Sequence, residues 1–370
     1  MTIDRDKKWA LQAAHAPETR HLPIARYRFI AQMQEDVWLP EYAGSLFRGQ
    51  FGAALRRLSC MTGQPVCHGC PLLTTCPYTQ IFKPVPPAQH DLQSFSAIPA
   101  GYIIVPPMPQ KGYREKRVGR QFVAAGEVFS FEMVLVGHIR KQLPLIIYAW
   151  QRALTRGLTK GRKNATLLAV QCLNSIHNHR IEPARQELRA VHNYMLDQWP
   201  EYIWTQDTQD VQAHDNEITV PKSSGVTAGS LKLVINTPLR LQRRGRIVGP
   251  RDMDIRTLIS GLARRIALIM EFHSNDPRWG ERVPHLIALA EYVQNHDTLR
   301  WFDWRRYSSR QRQEMALGGV VGSVELRAEP MLIQILWPWF WLGQWLHVGK
   351  NATFGMGHYQ LQYLHNRHKK

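Results

Sequence analysis

Apolar and polar residues follow one another along the N-terminal half of the chain in two kinds of pattern, which predict strands and helices. The runs "ARYRFIAQ", "GYIIVPP" and "EVFSFEMVLVG" are typical of strands. The runs "GSLFRGQFGAALRRLSC" and "LPLIIYAWQRAL" place apolar residues on one face of a helix, and Gly157 is expected to end the second helix. With a last strand at "NATLLAVQCL", the order is strand, helix, strand, strand, helix, strand, which is the ferredoxin-like βαββαβ unit.

The same order of elements recurs in the C-terminal half. A strand at "LKLVINTPLRL" precedes a periodic helix at "DIRTLISGLARRIALIMEFH", and two strands are expected around "RWFDWRRYS" and "GGVVGSVELRA". The tryptophan-rich run "MLIQILWPWFWLGQWL" predicts a buried helix, and "GHYQLQYL" predicts a final strand. The loop before the last strand reads "GRKNAT" in the first half (161–166) and "GKNAT" in the second (349–353). This matched position indicates a duplicated fold.

The sequence therefore predicts an α+β protein with two tandem ferredoxin-like (RRM-like) βαββαβ domains and a small metal-binding insertion. The N-terminal domain is expected at residues 22–177, with the Cys-rich insertion at 59–85, and the C-terminal domain with its glycine-rich loop at 230–370. Residues 178–229 are polar and irregular apart from a predicted helix at "PARQELRAVHNYMLDQW", and they are expected to join the two domains.

The charge balance indicates a polyanionic partner. Lys and Arg total 47 against 29 Asp and Glu, a formal net charge of +18, and such an excess is typical of proteins that bind nucleic acid or an anionic membrane. A membrane is the weaker choice, because the tryptophan-rich run is short and is interrupted by Pro338 and by glutamines. We also find no signal-peptide pattern, so a reducing, cytoplasmic compartment is expected. The alternative is a generally basic protein without such a partner.

The cysteines are unevenly distributed. Cys60, Cys67, Cys70 and Cys76 cluster in one segment, and only Cys172 lies elsewhere. In a reducing compartment a disulfide framework is not expected, so the cluster indicates a metal. Four thiolates suit a structural, tetrahedral Zn²⁺ site that leaves no position for water, and such an ion would stabilise a Pro-rich excursion that lacks its own core. An iron–sulfur cluster uses the same four thiolates, and four reduced cysteines in a loop are the simplest alternative.

Two glycine-rich loops and one arginine-rich segment carry the candidate nucleic-acid contacts. Glycine permits positive φ and close backbone approach, so successive N–H groups can form a concave anion site, although many such loops merely turn the chain. The planar guanidinium group of arginine donates two hydrogen bonds to a phosphate and stacks on bases. The segment "TPLRLQRRGRIVGPRD" also contains Arg240 and Arg251, and a solvated charge run is its alternative interpretation. The residues expected to bind are Gly349, Lys350, Asn351, Gly355, Gly357, Arg162, Lys163, Arg243, Arg244 and Arg246.

Five segments together resemble the CRISPR precursor-RNA-processing endoribonucleases of the RAMP superfamily. They are "GSLFRGQFGAALRRLSC", "CHGCPLLTTCPYTQIF", "NTPLRL", "GGVVGSVEL" and "LHVGKNATFGMGHY", in family order. The last of them is the glycine-rich loop typical of the family, and the cysteine segment resembles a subset of it. The resemblance implies two ferredoxin-like domains that grip a CRISPR repeat RNA, with a glycine-rich loop that contacts RNA rather than cleaves it.

The resemblance also implies cleavage without a catalytic metal, in which a 2′-hydroxyl attacks the adjacent phosphate and leaves a 2′,3′-cyclic end. Such a reaction needs a general base, a general acid and cationic stabilisation of the phosphorane. In many relatives the first helix reads Gly-His-Ala-Leu, whereas this chain reads "GAAL", with Ala53 at the histidine position. The candidate catalytic residues are therefore Tyr42 and Arg48, near the start of that helix, and His68, for which a metal-adjacent or surface position is the alternative.

These features predict an endoribonuclease that matures CRISPR RNA. Its expected partners are the repeat RNA and subunits of a CRISPR effector complex, and its expected cofactor is a structural Zn²⁺. The alternative is a non-catalytic crRNA-binding subunit of an effector complex, which the missing helix histidine keeps open. A zinc-dependent DNA-binding protein is a third hypothesis, but nothing in the chain resembles a recognition-helix module.

Overall fold

The computed structural model describes residues 10–17, 22–40, 42–86, 98–107, 120–173, 218, 220, 229–303, 305–308 and 313–362. The chain divides into two compact units. The N-terminal unit comprises His21–Ser175 with Gln186–Ile218, and the C-terminal unit comprises Thr219–Lys370 with Met1–Arg20 and Ile176–Arg185. The predicted inter-domain segment, including its helix at 183–199, lies almost wholly outside the described residues. Its boundaries stay a prediction.

The N-terminal unit has the predicted ferredoxin-like sheet. Strands β3, β5, β1 and β6 form one antiparallel sheet in that order, α1 and α3 connect its strands, and β2 pairs separately with β4. The strands are β1 (Ile24–Met33), β2 (Val37–Pro40), β3 (Tyr102–Val105), β4 (Arg120–Val123), β5 (Val128–Val136) and β6 (Ala165–Cys172). The helices are α1 (Gly44–Ser59), α2 (Pro77–Phe82) and α3 (Leu143–Arg156). The helix α3 ends at Gly157, which has a φ of 98°, as predicted.

An aromatic cluster fixes the helices of this unit to its sheet. The ring centroid of Trp150 on α3 lies 4.4 Å from that of Phe131 on β5 and 5.3 Å from that of Phe51 on α1. Phe29 on β1 stacks on Phe131 at 5.1 Å. Such contacts between large buried rings stabilise the fold by more than the burial of their apolar area alone. The predicted apolar stripe of α1 is therefore confirmed as the face that packs on the sheet.

The C-terminal unit repeats the same sheet order. Strands β10, β14, β7 and β15 are neighbours in that order, and all their pairings are antiparallel. The strands are β7 (Ser230–Leu239), β8 (Gln242–Arg243), β9 (Arg246–Ile247), β10 (Gln294–Asp297), β11 (Arg300–Phe302), β12 (Arg305–Ser308), β13 (Gln313–Ala316), β14 (Gly319–Arg327) and β15 (Tyr359–Gln362). The helices are α4 (Ile255–Ser274), α5 (Arg278–Ala288) and α6 (Pro330–Leu346). The tandem ferredoxin-like fold predicted from the sequence is thus confirmed.

Strand β10, which pairs with β14, was not predicted, and two further details of the C-terminal unit differ from the sequence interpretation. The single strand expected around "RWFDWRRYS" is divided, because β11 joins β14 whereas β12 pairs with β13 in a separate hairpin. Helix α5 was not predicted. Its pattern is weakened by Pro284, and Trp279 holds it by edge-on contact with Trp339 of α6 at 4.9 Å. A tertiary contact therefore stabilises a segment whose local pattern is ambiguous.

The tryptophan-rich run forms the buried helix α6, as predicted. Trp337 and Trp339 are at most 1% exposed, and Trp341 and Trp345 are also buried. Across the described parts of the chain, no helix is both long enough and apolar enough to cross a membrane.

Candidate RNA-binding and cleavage sites

The glycine-rich loop (residues 347–358) begins where α6 ends. His347 follows the last helical residue, has a φ of 54° and is 1% exposed. Nε of Arg265, on α4, donates to the carbonyl oxygens of Leu346 and His347, both at 2.8 Å. Burial lowers the pKa of Arg265 to about 10, so its guanidinium keeps its charge at neutral pH. This partly buried cation satisfies the carbonyl end of α6, where the helix dipole is negative.

The loop is fastened along the C-terminal end of β7 by backbone hydrogen bonds. The N–H of Lys350 donates to the Arg240 carbonyl at 2.8 Å, and the N–H of Gly357 donates to the Pro238 carbonyl at 3.0 Å. The buried hydroxyl of Thr237 donates to the Gly355 carbonyl and accepts from the N–H of His358, both at 2.8 Å. These contacts give the loop one backbone conformation.

Two glycines of the loop are required by close backbone approach. A Cβ atom on Gly357 would lie 1.8 Å from the Val348 carbonyl oxygen, and one on Gly349 would lie 2.5 Å from the Arg240 carbonyl oxygen. Both residues also have positive φ. The N–H groups of Val348, Lys350, Gly355 and Gly357 all donate to carbonyls of the protein itself. Those four groups are therefore engaged in the fold, and the predicted RNA contacts of Gly349, Asn351, Gly355 and Gly357 stay a prediction.

Three of the segments that resemble the RAMP endoribonucleases meet at this strand end. Nη1 of Arg240, from "NTPLRL", donates to the carbonyl of Gly318, the first residue of "GGVVGSVEL", at 2.7 Å. A Cβ on Gly319 would lie 2.9 Å from the Leu239 carbonyl oxygen, so β14 also needs a glycine here. Arg240 was predicted as part of the cationic patch, but its guanidinium serves to join these segments.

The arginine-rich segment forms a short hairpin directly after β7. Arg243 pairs with Arg246 across β8 and β9, and the turn residues Arg244 and Gly245 both have positive φ, as a type I′ turn requires. Arg243 is held by an ion pair of 2.5 Å with Asp254, the N-cap residue of α4. The side chains of Arg244 and Arg246 are exposed, as is that of Lys350 in the neighbouring loop. These three exposed cations are available for an anionic ligand.

The loop with the related sequence "GRKNAT" (161–166) lies at the equivalent position in the N-terminal unit, between α3 and β6. Arg162 has a φ of 50° and an exposed side chain. Lys163 instead forms an ion pair of 2.7 Å with Glu35, and its hydrogen bond lowers the pKa of that carboxyl. The repeat of the loop position is therefore confirmed, whereas the two lysines differ: Lys163 is paired and Lys350 is exposed.

The three candidate catalytic residues lie in different environments. Tyr42 lies just before α1 and is half-buried, and His68 is exposed in the cysteine segment. The guanidinium of Arg48 lies 4.3 Å from the centre of the Phe82 ring. Burial raises the pKa of Tyr102 to about 12, although the nearby charge of Arg48 opposes the increase. Arg48 therefore has a packing role in the N-terminal unit, and the catalytic roles of Tyr42, Arg48 and His68 stay predictions.

The four clustered cysteines line one cavity between the end of α1 and α2. The hydroxyl of Thr62 lies 4.0 Å from Sγ of Cys60 and 3.6 Å from Sγ of Cys70, and Cys67 and Cys76 complete the sulfur lining. A hydrogen bond from the Gly63 backbone lowers the pKa of the Cys60 thiol most strongly, and the charge of Arg56 contributes. Within the described residues, however, no group of three or more His, Cys, Asp or Glu side chains is arranged to hold a metal ion. The metal-binding character of this segment stays a prediction.

A partly buried ion triad lies on the sheet of the N-terminal unit, where Glu132 of β5 binds two arginines of β1. Its carboxylate accepts from Arg26 at 2.5 Å and from Arg28 at 2.8 Å. Burial alone would raise the pKa of Glu132, but the charges and hydrogen bonds of the two arginines outweigh it and lower this pKa below 4.5. The triad has one excess positive charge.

We expect Glu132→Gln to lower the free energy of unfolding by about 2 kcal/mol at neutral pH, because charge-assisted hydrogen bonds are lost. Since the folded-state pKa of Glu132 is depressed, its stabilisation is complete above 4.5 and is lost as the pH falls through the folded-state value. Urea unfolding of both proteins at neutral pH and near pH 3 measures this. The difference between wild type and variant should shrink in acid, and a difference independent of pH would contradict the assignment.

The geometry and the sequence comparisons place the chain in a class of CRISPR proteins. Residues 22–215, more than half of the chain, match the family model AF_1859_N, described as an N-terminal domain, and residues 233–359 match the model of the CRISPR-associated endoribonuclease Cas6. The chain belongs to the family of this N-terminal domain, and its C-terminal region is Cas6-like. The comparison with curated protein sequences gives no match.

One solved Cas6 structure shares the fold at low sequence identity, and two further structures are less similar. A Cas6 product complex is 14% identical, with a TM-score of 0.51, over 92% of this chain and 100% of that chain. Thermus thermophilus Cas6 is 13% identical, with a TM-score of 0.45, over 93% of this chain and 100% of that chain. An RAMP protein that binds different RNA substrates is 9% identical, with a TM-score of 0.43, over 92% and 100%.

The sequence interpretation missed two residues that shape the glycine-rich loop, Arg265 and Thr237. Arg265 lies three residues after the buried Leu262 and four before the buried Ile269, so it is a charged residue on the apolar face of a helix. That position was a detectable signal of a buried polar partner. Thr237 lies in a strand where neighbouring residues are also buried, and its pattern gave no comparable signal.

Proposed function

We propose that the chain binds CRISPR repeat RNA and cleaves precursor CRISPR RNA. One observation carries this proposal: three family segments converge at the end of β7 and form a fixed loop beside an exposed arginine hairpin. A rigid backbone surface with Lys350, Arg244 and Arg246 exposed beside it suits the phosphates of a folded RNA. The product complex of a Cas6 with this fold is consistent with the same use.

The proposed reaction is transesterification within the RNA. The 2′-oxygen attacks the adjacent phosphorus, a bond forms between them, and the bond from phosphorus to the 5′-oxygen breaks. A base removes the proton of the 2′-hydroxyl and an acid gives a proton to the 5′-oxygen. We retain Tyr42 and His68 as candidates for these two roles and Arg48 for charge stabilisation. Packing of Arg48 on Phe82 makes it the weakest of the three.

The test is incubation of the protein with its repeat RNA in EDTA, with products analysed by mass spectrometry. Cleavage that leaves one product one water lighter than a 3′-phosphate end supports the proposed reaction. Cleavage that EDTA abolishes contradicts the metal-independent mechanism. Alanine variants of Tyr42, Arg48 and His68, compared with alanine at the exposed Thr155, identify which residues change the cleavage rate.

A non-catalytic crRNA-binding subunit is the second candidate function. Ala53 is exposed on α1 at the position where many relatives have histidine, and Arg48 on the same helix is engaged in packing. The chain therefore lacks one histidine that could act in catalysis, and Arg48 is already engaged in packing. Tight binding of the repeat RNA without any product would favour this function, whereas absence of binding would contradict both.

We expect Arg244→Ala combined with Arg246→Ala to weaken RNA binding and to reduce its salt dependence. Each lost phosphate contact lowers the slope of log K against log salt by about 0.7 to 0.9, so the pair should lower it by about 1.5. Arg278→Ala is a matched control, because this exposed arginine is already paired with Asp276 at 2.7 Å. An unchanged slope in the double variant would remove the hairpin from the interface.

We also propose that the cysteine segment binds a structural Zn²⁺, with Cys60, Cys67, Cys70 and Cys76 as ligands. The cavity that all four cysteines line supports this, and the lowered pKa of Cys60 favours the thiolate that metals bind. When bound, the ion would link the end of α1 to α2. It would supply stability and no step of the cleavage reaction. An iron–sulfur cluster would need the same ligands.

We expect Cys67→Ser combined with Cys70→Ser to lose bound metal and thermal stability together. Elemental analysis and a thermal melt of the same preparations measure both effects, and absorption in the visible range distinguishes an iron–sulfur cluster from zinc. Cys172→Ser is the control, because this cysteine is buried in β6, away from the cluster. A fully folded wild-type preparation that contains no metal would contradict the proposal.

A further inference from the structure

The two sheet-packed helices of the N-terminal unit expose positive charge without any negative charge. Helices α1 and α3 contain no Asp or Glu. Arg57 on α1 and Arg152 and Arg156 on α3 are exposed. We call these three residues the helix-face arginine cluster. None of them belongs to the glycine-rich loop or to the arginine hairpin of the other unit.

The packing of the two helices brings these charges together. Phe51 of α1 stacks against Trp150 of α3, and Nε2 of Gln50 donates to the Leu158 carbonyl just beyond α3 at 3.0 Å. Burial lowers the pKa of Arg57, and the positive charge of Arg156 lowers it further. Because α1 packs on α3, like charges are exposed on two adjoining helices, and a bound anion would offset their repulsion.

The three cluster arginines form no ion pair with a described residue, unlike some other cations of the described chain. Lys163 pairs with Glu35 and Arg243 with Asp254. No described carboxylate forms an ion pair with a member of the helix-face arginine cluster. The cluster is thus a concentration of uncompensated charge rather than a salt-bridged helix surface.

An exposed aromatic ring lies within the same surface. Tyr148 is 36% exposed, and the guanidinium carbon of Arg152 lies 5.9 Å from its ring centre. It is also the one large apolar side chain exposed on the described residues of α1 and α3. A protein partner would need an apolar centre to its interface, whereas a single ring flanked by arginines suits stacking of an unpaired base.

We propose that the helix-face arginine cluster and Tyr148 form a second RNA-binding surface, which holds single-stranded RNA that flanks the repeat. The arginines contact phosphates without regard to sequence, and the tyrosine ring stacks on one base. The inference rests on the proposed function, because it extends the RNA bound at the glycine-rich loop. It assigns to the N-terminal unit a role in holding precursor RNA beyond the repeat itself.

The test compares two RNAs, the repeat alone and the repeat extended by single-stranded flanks, over a series of salt concentrations. The triple variant Arg57→Gln, Arg152→Gln and Arg156→Gln removes the charges but keeps polar side chains and helix preference. On the extended RNA its salt slope should fall by about 2, since single strands contribute about 0.7 per phosphate. Tyr148→Ala should weaken binding of the extended RNA by about 5- to 150-fold, since a stacked base contributes about 1 to 3 kcal/mol. Neither variant should change binding of the repeat alone.

Each other result has a definite meaning. An unchanged slope on the extended RNA overturns the inference, and so does an equal loss on both RNAs, because the cluster would then belong to the repeat site. The proposed function survives without the second surface if the triple variant weakens binding of both RNAs equally. It also survives if the hairpin variant Arg244→Ala with Arg246→Ala still weakens RNA binding. A wild-type protein that binds neither RNA contradicts the proposed function and the inference together.

Discussion

Replacing Gly357 by alanine is expected to unfold the glycine-rich loop and to abolish binding of the repeat RNA. The new Cβ would lie 1.8 Å from the Val348 carbonyl oxygen, and that oxygen belongs to backbone that cannot rotate away like a side chain. The residue also has a φ of 72°, which costs an alanine about 1 to 2 kcal/mol by itself. Relief of the clash would break the hydrogen bonds that Gly357 makes with Val348 and Pro238.

The combined effect should lower the free energy of unfolding of the C-terminal unit by about 4 kcal/mol. With a urea dependence of about 2 kcal/mol per molar, the unfolding midpoint should shift by about 2 M. Gly126→Ala is the matched control: Gly126 has a φ of 80°, but no atom lies within 4 Å of the added Cβ. The control should lose about 1 kcal/mol and keep its RNA affinity. Equal losses in both variants would show that backbone strain, and not close approach, requires glycine in the loop.

Truncation of Trp150 to alanine should have an effect of similar size in the N-terminal unit. The indole is fully buried, lies within 6.1 Å of the ring centroids of Phe29, Phe47, Phe51 and Phe131, and its Nε1 donates to the Met133 sulfur at 2.8 Å. Removing a buried tryptophan costs about 3 to 5 kcal/mol, because a cavity remains where the ring was. Since the ring contacts both α1 and the sheet, the loss should also release α1, which carries Arg48.

Thermal unfolding, with hydrogen exchange of the α1 amides, measures both consequences. Tyr148→Ala, an aromatic truncation at an exposed position of the same helix, should cost less than about 1 kcal/mol and leave α1 protected from exchange. Trp150→Phe should recover part of the stability, because the smaller ring still fills much of the site. If Trp150→Ala unfolded the protein no more readily than Tyr148→Ala, the aromatic cluster would not be what holds α1 on the sheet.

The order of elements was predictable because local patterns agree with the fold in most places. The alternation of β1 and the apolar stripe of α1 each mark one buried face, and a period of two or of 3.6 leaves little choice of element. Helix α5 and the division of β11 from β12 were not predictable. Gly280 and Pro284 weaken the helical pattern of α5, and its Trp279 finds its partner in α6, which is distant along the chain.

The site was predictable to a smaller degree. Glycines and cations indicated the loop and the hairpin from sequence. The conformational freedom of glycine and the charge of Arg or Lys do not depend on the surrounding structure. The roles of individual arginines did not follow from spacing. Arg240 joins two strands, Arg243 forms an ion pair with the N-cap residue Asp254, and Arg244 remains exposed, although all three arginines belong to one short segment.

Periodicity, composition and motifs are properties of the chain alone, and they were sufficient to predict the duplicated βαββαβ order, the basic character and the resemblance to the RAMP proteins. The folded structure was needed to show which backbone groups of the glycine-rich loop are engaged, which arginines are paired, and that Arg265 and Thr237 support the loop from distant elements. Those properties depend on which residues meet across strands and helices. A hydrogen bond or ion pair is defined by distances of a few ångströms between residues far apart in the chain, and local pattern does not contain that information.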